Sequence, residues 1–206
     1  EGQYIGYYGT KQFFQDPRTG KFYGVEELKD HPEAKPTMLQ TMQPIEYLPH
    51  ELSPMLKVLD DRVVEVTAMS TRSPSYSHPE INQPDIQVAL MKTEKDAILR
   101  MACGFTQPVP HPRGHHWYQV MGTRGCVEWA RSGQEKPKLW LADAQMHDLA
   151  DVDWRFERTD APAEARGSGH GDADYYVHAV FRDAVLSGTP LEFDVYKAMD
   201  TAAPAI

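Results

Sequence analysis

Apolar residues recur with helical spacing in three parts of the chain. The longest pattern spans residues 173–185, where apolar positions return every three or four residues and would form one face of an α-helix. Its members are Ala173, Tyr176, Val177, Val180, Phe181, Ala184 and Val185. Asp172 and Asp174 suit the first turn of a helix and Gly188 suits its end, so this is the most clearly predicted helix of the chain.

Two shorter patterns predict two more helices. One begins near Pro49 and carries the apolar run Leu52, Met55, Leu56 and Leu59. The other, 195–203, follows Asp194, whose side chain suits the N-cap position. Because the two helices that follow residue 171 each have a single apolar face, we expect both to pack on a sheet.

Alternating apolar and polar residues predict a sheet in the middle of the chain. The predicted strands are 62–70, 85–93, 97–105, 117–122, 126–130 and 138–142, and an earlier strand lies at Tyr4–Tyr8. Three-residue turns join these strands in two hairpins, and Gly125 is expected to supply a positive φ in the second turn. Connections this short make neighbouring strands antiparallel. The predicted fold class is therefore α+β, an open, mostly antiparallel β-sheet with helices packed on one face.

The composition limits the classes of function. The length of 206 residues suits one large domain or two small ones, and the 41% apolar content is enough to fill a single core. We expect one domain that spans 1–206. Thirty acidic residues exceed 21 basic ones and no run of lysine or arginine is present, so nucleic acid is not an expected partner. No apolar stretch approaches the roughly 20 residues that span a bilayer, and no membrane partner is expected either.

Two cysteines in a chain of this length do not make a disulfide framework. Cys103 and Cys126 fall in predicted strands and are expected to be free thiols of a reducing compartment. A cytoplasmic location is the expectation, and export of a longer parent protein is the open alternative. The chain starts at Glu1 without an initiator methionine and stops at Ile206 inside an apolar helical pattern, which we interpret as a piece of a longer protein.

Tyr47 and His50 are the main candidates for catalysis. They lie three residues apart at the predicted start of a helix, where free N–H groups and the positive end of the helix dipole favour anions or polar ligands. A phenol and an imidazole can exchange protons with a hydroxylated substrate near neutral pH. The alternative is structural, with Tyr47 packed in the core and His50 capping the helix.

A group of imidazoles lies in residues 108–116, which contain His111, His115 and His116. The spacing of the first two would suit zinc on a helix, but the prolines and the glycine of this segment forbid a helix. No metal site is therefore predicted. The segment is either a loop beside a polar pocket or a loop exposed to solvent.

The order of these elements resembles the C-terminal domain of the Gfo/Idh/MocA family of NAD(P)-dependent oxidoreductases. The resemblance rests on the Tyr-x-x-His helix start within Tyr47–Pro54, on Trp117–Trp129 and on Gly167–Ala198, and it covers nearly the whole chain. It implies that NAD or NADP is bound mainly by an N-terminal Rossmann domain that is absent from this chain. The fragment alone is then not expected to be active.

Within the family, Tyr47-x-x-His50 resembles the branch of NAD-dependent α-N-acetylgalactosaminidases. The resemblance implies that His50 is the acid/base at the sugar with Tyr47 as its partner, and that Tyr4 and His170 contact the substrate. Those glycosidases also carry an arginine before this motif, and residues 37–46 contain none. The implied reaction is therefore either redox chemistry on a sugar, cyclitol or glycoside, or NAD-dependent glycoside cleavage by oxidation, elimination and hydration.

The resemblance also implies partners for the chain. It predicts a carbohydrate substrate and a homodimer or homotetramer formed through the open sheet, with this chain as the substrate-binding and oligomerisation domain. A function of another class stays open, namely a non-catalytic carbohydrate-binding or assembly module that needs no cofactor.

Overall fold

The computed structural model describes residues 13–76, 79, 81–104, 117–153 and 161–206. The chain divides into two compact units. The first contains the residues up to 116 together with 199–206, and the second contains 117–198. The predicted opening strand at Tyr4–Tyr8 and the histidines of 108–116 lie outside the described residues.

The first unit starts with a small antiparallel sheet in the order β2-β1-β3. Its strands are β1 (Phe14–Gln15), β2 (Phe22–Tyr23) and β3 (Lys35–Pro36). A 3-10 turn, Val25–Glu27, follows β2, and the single-turn helix α1 (Met38–Thr41) follows β3. The sequence pattern at Val25–Lys29 predicts a short helical segment, which the 3-10 turn partly matches.

A second sheet and one long helix form the centre of the first unit. The sheet has the antiparallel order β4-β5-β6, with β4 (Val63–Ser70), β5 (Gln87–Thr93) and β6 (Ile98–Cys103). Helix α2 (Pro49–Leu59) precedes it, and a 3-10 turn, Ala203–Ala205, returns to it from the C-terminal end. The predicted α2 start, the strand 62–70 and the first hairpin are confirmed.

The core of the first unit lies between α2 and one face of this sheet. Strands β5 and β6 alternate buried and exposed residues, as expected for a sheet covered on one side. Leu48, Leu52 and Leu56 meet the inward row of the strands in one apolar cluster. The other buried members of that cluster are Ala89, Met91, Leu99, Met101, Cys103 and Ala205.

The second unit contains a four-stranded antiparallel sheet in the order β10-β9-β8-β7. Its strands are β7 (Gln119–Met121), β8 (Gly125–Glu128), β9 (Lys138–Leu141) and β10 (Ala150–Asp151). A 3-10 turn, Ala163–Ala165, leads towards helix α3 (Ala173–Ser187), and helix α4 (Val195–Ala202) runs from this unit into the first. The second predicted hairpin and both predicted helices are confirmed.

The α+β class and the antiparallel pairing are confirmed, but the strands are divided among three sheets. Helix α2 covers a sheet face, as the fold class predicts. Helix α3 has no buried residue, and its apolar stripe is exposed instead: Val177 is 68% and Phe181 61% exposed. Its periodicity therefore identifies a helix without identifying what covers it. Among the described helices, none combines the length and the apolar character that a bilayer crossing needs.

Gly125 corrects one expectation about the second hairpin. Its φ is not positive, because the residue is the first of β8 and pairs with Leu141 of β9. A Cβ atom at this position would lie 2.8 Å from the carbonyl oxygen of Trp140 and 2.9 Å from Cδ2 of Leu141. Glycine is needed here for the close approach of two strands rather than for a left-handed turn.

Candidate functional site

The start of α2 is fixed by a buried leucine. A 3-10 turn, Pro44–Tyr47, runs directly into the helix, and Leu48 at the junction has no exposed surface. The N–H groups of Glu51 and Leu52 donate to the carbonyl oxygen of Leu48 at 2.9 Å each, which closes the first helical turn. Because Leu48 is held in the core, the residues on either side of it lie at the edge of the core.

Tyr47 and His50 meet at this edge. Their rings are stacked, with 4.1 Å between the centroids and 20° between the planes. Tyr47 is half-buried and His50 is exposed, so the phenol ring supports the imidazole from the protein side. A stacked ring restrains the plane of the imidazole. The two side chains are in contact, and their role in chemistry stays a prediction.

The structural alternative for this pair is only partly met. The N-cap of α2 is Leu48, and His50 is the second residue of the helix, so His50 does not occupy the capping position. Tyr47 does contact its neighbour through a ring face, but it is not a fully buried core residue. The geometry therefore leaves an imidazole at the surface, held by an aromatic ring.

Cys103 is buried in the apolar cluster that α2 covers, and it is not suited to act as a nucleophile. Burial raises the pKa of its thiol to about 12, and the Glu51 carboxylate acts in the same direction. The thiolate, which is the reactive form, is therefore scarce at neutral pH. Both Cys103 and Cys126 are free thiols, as predicted.

This environment predicts unequal reactivity of the two cysteines. With iodoacetamide at pH 8, we expect the half-buried Cys126 to be alkylated while Cys103 stays unmodified, as peptide mass spectrometry would show. Raising the pH to 10 should leave Cys103 unmodified as well, because its pKa of about 12 keeps the thiol protonated. In urea both should react, and rapid alkylation of Cys103 in the folded chain would contradict the burial seen here.

His170 belongs to the second unit and is held by a carboxylate. Its Nδ1 lies 2.8 Å from Oδ1 of Asp174, four residues later, and its side chain is 85% exposed. It lies in the loop before α3, where the sequence predicts a glycine-rich lead into the helix. Tyr4, the other predicted substrate contact, lies outside the described residues.

A second stacked imidazole was missed by the sequence reasoning. Tyr23 and His31 have ring centroids 3.9 Å apart and planes 25° apart, nearly the geometry of the first pair. Nδ1 of His31 lies 3.3 Å from Oε1 of Glu33. Tyr23 and His31 are eight residues apart, across the end of a strand and a turn, and this spacing matches no helix or strand period that would predict their contact. The pair is useful as a comparison, because it has the same stacking away from the α2 start.

Metal binding receives no support from the part of the chain that the structure describes. Within it, no three His, Cys, Asp or Glu side chains converge as a metal site requires. The histidines 111, 115 and 116 are outside that part.

No family model matches the chain. It is similar to a glycosyl hydrolase family 109 protein of Solibacter usitatus, with 23% identity over 77% of this chain and 40% of that protein. It is also similar to an alpha-N-acetylgalactosaminidase of Tannerella forsythia, with 26% identity over 74% of this chain and 36% of that protein. The chain spans about two fifths of the length of the curated relatives it matches.

A solved structure shares the fold. An oxidoreductase from Agrobacterium radiobacter, in complex with NAD+, L-tartaric acid and magnesium, matches with a TM-score of 0.53 and 16% identity. The match covers 76% of this chain and 43% of that protein.

Proposed function

We propose, from the fold that this chain shares with the C-terminal part of Gfo/Idh/MocA-type oxidoreductases, that it is the substrate-binding and oligomerisation domain of an NAD(P)-dependent enzyme acting on a carbohydrate. The observation that carries the proposal is the exposed imidazole of His50, stacked on Tyr47 at the start of α2. A relative that acts on an N-acetylgalactosaminide and a similar structure that holds NAD+ support the substrate and the cofactor.

The glycine-rich loop 167–171 does not fit a dinucleotide. The glycine-rich loop 167–171 leads into α3, as phosphate-binding loops lead into helices, but two aspartates occupy this helix start. Asp172 Oδ1 accepts a hydrogen bond from the Gly167 N–H at 2.7 Å, and Asp174 holds His170. Carboxylates here would repel a pyrophosphate. We therefore assign NAD(P) to a nucleotide-binding domain outside these residues.

His50 and Tyr47 would act on the substrate hydroxyl. The imidazole can take or return the proton of that hydroxyl, and the stacked phenol ring keeps the imidazole plane fixed while it does so. Tyr4 and His170 are proposed as further substrate contacts. Since the chain lacks an arginine at 37–46, dehydrogenation of a sugar, cyclitol or glycoside is the first candidate reaction.

The second candidate reaction is NAD-dependent glycoside cleavage by oxidation, elimination and hydration. The two curated relatives, both named as glycosidases, favour it. A non-catalytic carbohydrate-binding or assembly module is the third candidate, and it would use the same ligand contacts without a nucleotide.

The test is the intact mass of the protein in its native source, together with the nucleotide released on denaturation. A mass well above 23.4 kDa with NAD or NADP released would support the enzyme. A mass of 23.4 kDa with no nucleotide would overturn it and favour the non-catalytic module. Assay of the larger protein on N-acetylgalactosaminides and on free sugars with NAD(P) then separates cleavage from dehydrogenation.

The proposed assembly uses the outer face of the β4-β5-β6 sheet, with a second copy of this chain as its occupant. Met69 is 79%, Leu90 51% and Ile98 66% exposed on this face, opposite the core. Glu65 and Arg100 give this face both a negative and a positive charge. In a two-fold symmetric pair, the Glu65 of one copy can therefore face the Arg100 of the other. An apolar face of this kind in a β-sheet is a typical protein contact.

Replacing Leu90 with aspartate should convert an assembled protein to monomer. A charge in the centre of the proposed contact would have to be taken out of water, which costs free energy even beside Arg100, the residue opposite Leu90 on β6. Sedimentation velocity on the wild type and the variant measures this, with Val58→Asp, on the exposed side of α2, as the matched control. A wild-type monomer, or a Leu90→Asp variant that stays assembled, would rule out this face.

A further inference from the structure

The loop before α3 has an unusual backbone. Four consecutive residues have positive φ: Gly169 at 103°, His170 at 47°, Gly171 at 64° and Asp172 at 70°. Two of the four, His170 and Asp172, are not glycine, so their backbones adopt a conformation that such residues rarely populate. Strain of this kind persists only where the surrounding contacts hold the backbone in place.

Those contacts are visible at both ends of the loop. Ser168 Oγ accepts a hydrogen bond from the Tyr175 N–H at 3.0 Å and so pairs one N–H group of the first helical turn. Asp172 accepts one from the Gly167 N–H. Asp174 is therefore not used as a cap, and its carboxylate points instead between Gly169 and the His170 ring. A Cβ atom at Gly169 would collide with Oδ2 of Asp174.

The hydrogen bond between His170 and Asp174 fixes where the imidazole proton is. A carboxylate can only accept, so the hydrogen between Nδ1 and Oδ1, 2.8 Å apart, must be on Nδ1. In the neutral ring, Nε2 then carries no proton and is an acceptor. The side chain is 85% exposed, so a ligand can approach it.

We infer that Asp174 is a positioning residue that holds His170 with Nε2 as a hydrogen-bond acceptor for a hydroxyl group of a polyhydroxylated, uncharged ligand. An unprotonated nitrogen selects a hydrogen-bond donor, and the neighbouring aspartates disfavour anions. The choice of a hydroxyl donor over a cationic one rests on the proposed function. The identity of the ligand as a carbohydrate rests on the proposed function. The state of the imidazole does not.

The test is the tautomer of His170 in the 206-residue chain, read from imidazole nitrogen and carbon-bound proton correlations after 15N labelling of histidine. At alkaline pH we expect Nδ1 at the pyrrole-type and Nε2 at the pyridine-type nitrogen shift. Asp174→Ala and, separately, Gly169→Ala should lose this assignment, because one removes the carboxylate and the other displaces it. Asp183→Ala, an acid of the same helix paired with Arg182, is the matched control and should leave His170 unchanged.

Addition of N-acetylgalactosamine provides the ligand measurement. We expect a saturable shift of Nε2 in the wild type and its loss in Asp174→Ala. An Nε2-protonated ring in the wild type, or an unchanged tautomer in Asp174→Ala, would overturn the positioning role. A wild-type Nε2 that does not respond to the sugar would overturn the ligand assignment. Absence of nucleotide in the native protein defeats the proposed function but leaves the tautomer result standing.

Discussion

Replacing His50 with alanine in the proposed full-length enzyme is expected to lower turnover by about two to four orders of magnitude, the range for removal of a general acid or base. The imidazole is exposed and stacked on the Tyr47 ring. His50 is the one histidine of α2, so no other imidazole on that helix can replace it. Steady-state rates with the substrate and NAD(P) measure the effect. The loss should fall mainly on turnover rather than on KM, because the proton is moved in the transition state.

The chain supplies a matched control for this variant. His31 stacks on Tyr23 with nearly the same geometry, 3.9 Å and 25°, so His31→Ala removes an equivalent stacking contact elsewhere in the unit. We expect His31→Ala to keep turnover within about threefold, since it acts only on local packing. A His50→Ala enzyme with near-wild-type turnover, or an equal loss in both variants, would contradict the acid/base role. Unchanged circular dichroism would confirm that both variants fold.

Replacing Leu52 with alanine is expected to reduce the free energy of unfolding by about 2–5 kcal/mol. Leu52 has no exposed surface and packs in the cluster that joins α2 to the inner face of β5 and β6. Truncation removes apolar contacts on all sides and leaves a cavity that neighbouring side chains fill only in part. Urea unfolding followed by circular dichroism measures the change, together with the alkylation of Cys103, which reports opening of this cluster.

Val58 is the control for Leu52, because it lies on the same helix and is 74% exposed. Val58→Ala should change the stability by about 0.5 kcal/mol or less, since it creates no cavity. If Leu52→Ala were as mild, the α2 contact would not be the core of the first unit. The variant also bears on the proposed function, because the same helix presents His50. If His50 acts in catalysis, loosening α2 should lower turnover as well.

Local signals in the sequence predict the helices well. Asp172 and Gly188 both adopt left-handed φ at the ends of α3, and Asp194 accepts the N–H groups of Tyr196 and Lys197 at 3.0 Å each at the start of α4. The Tyr47–His50 pair is likewise local, because three residues at a helix start bring two rings together. These features depend on neighbours within one or two turns, which the sequence displays directly.

Features that depend on distant residues could not be predicted. The strands of one predicted sheet are divided between two, because pairing is decided by which edges meet and not by the alternation within a strand. The third sheet consists of two-residue strands at 14–36, which are too short to show an alternating pattern. Glu51 affects Cys103 across 52 positions, and Tyr23 stacks on His31 across a turn. The spacing of His170 and Asp174 was visible, but their contact depends on four positive φ angles in the loop, two of them at residues other than glycine.

The free edge of β4 has a practical consequence for handling the isolated chain. In the described residues this eight-residue strand pairs only with β5, and Val64 and Val66 on it are 56% and 41% exposed. An uncovered apolar edge offers a template for non-native strand addition, and such addition grows with protein concentration. Storage at low concentration should therefore preserve monodisperse samples.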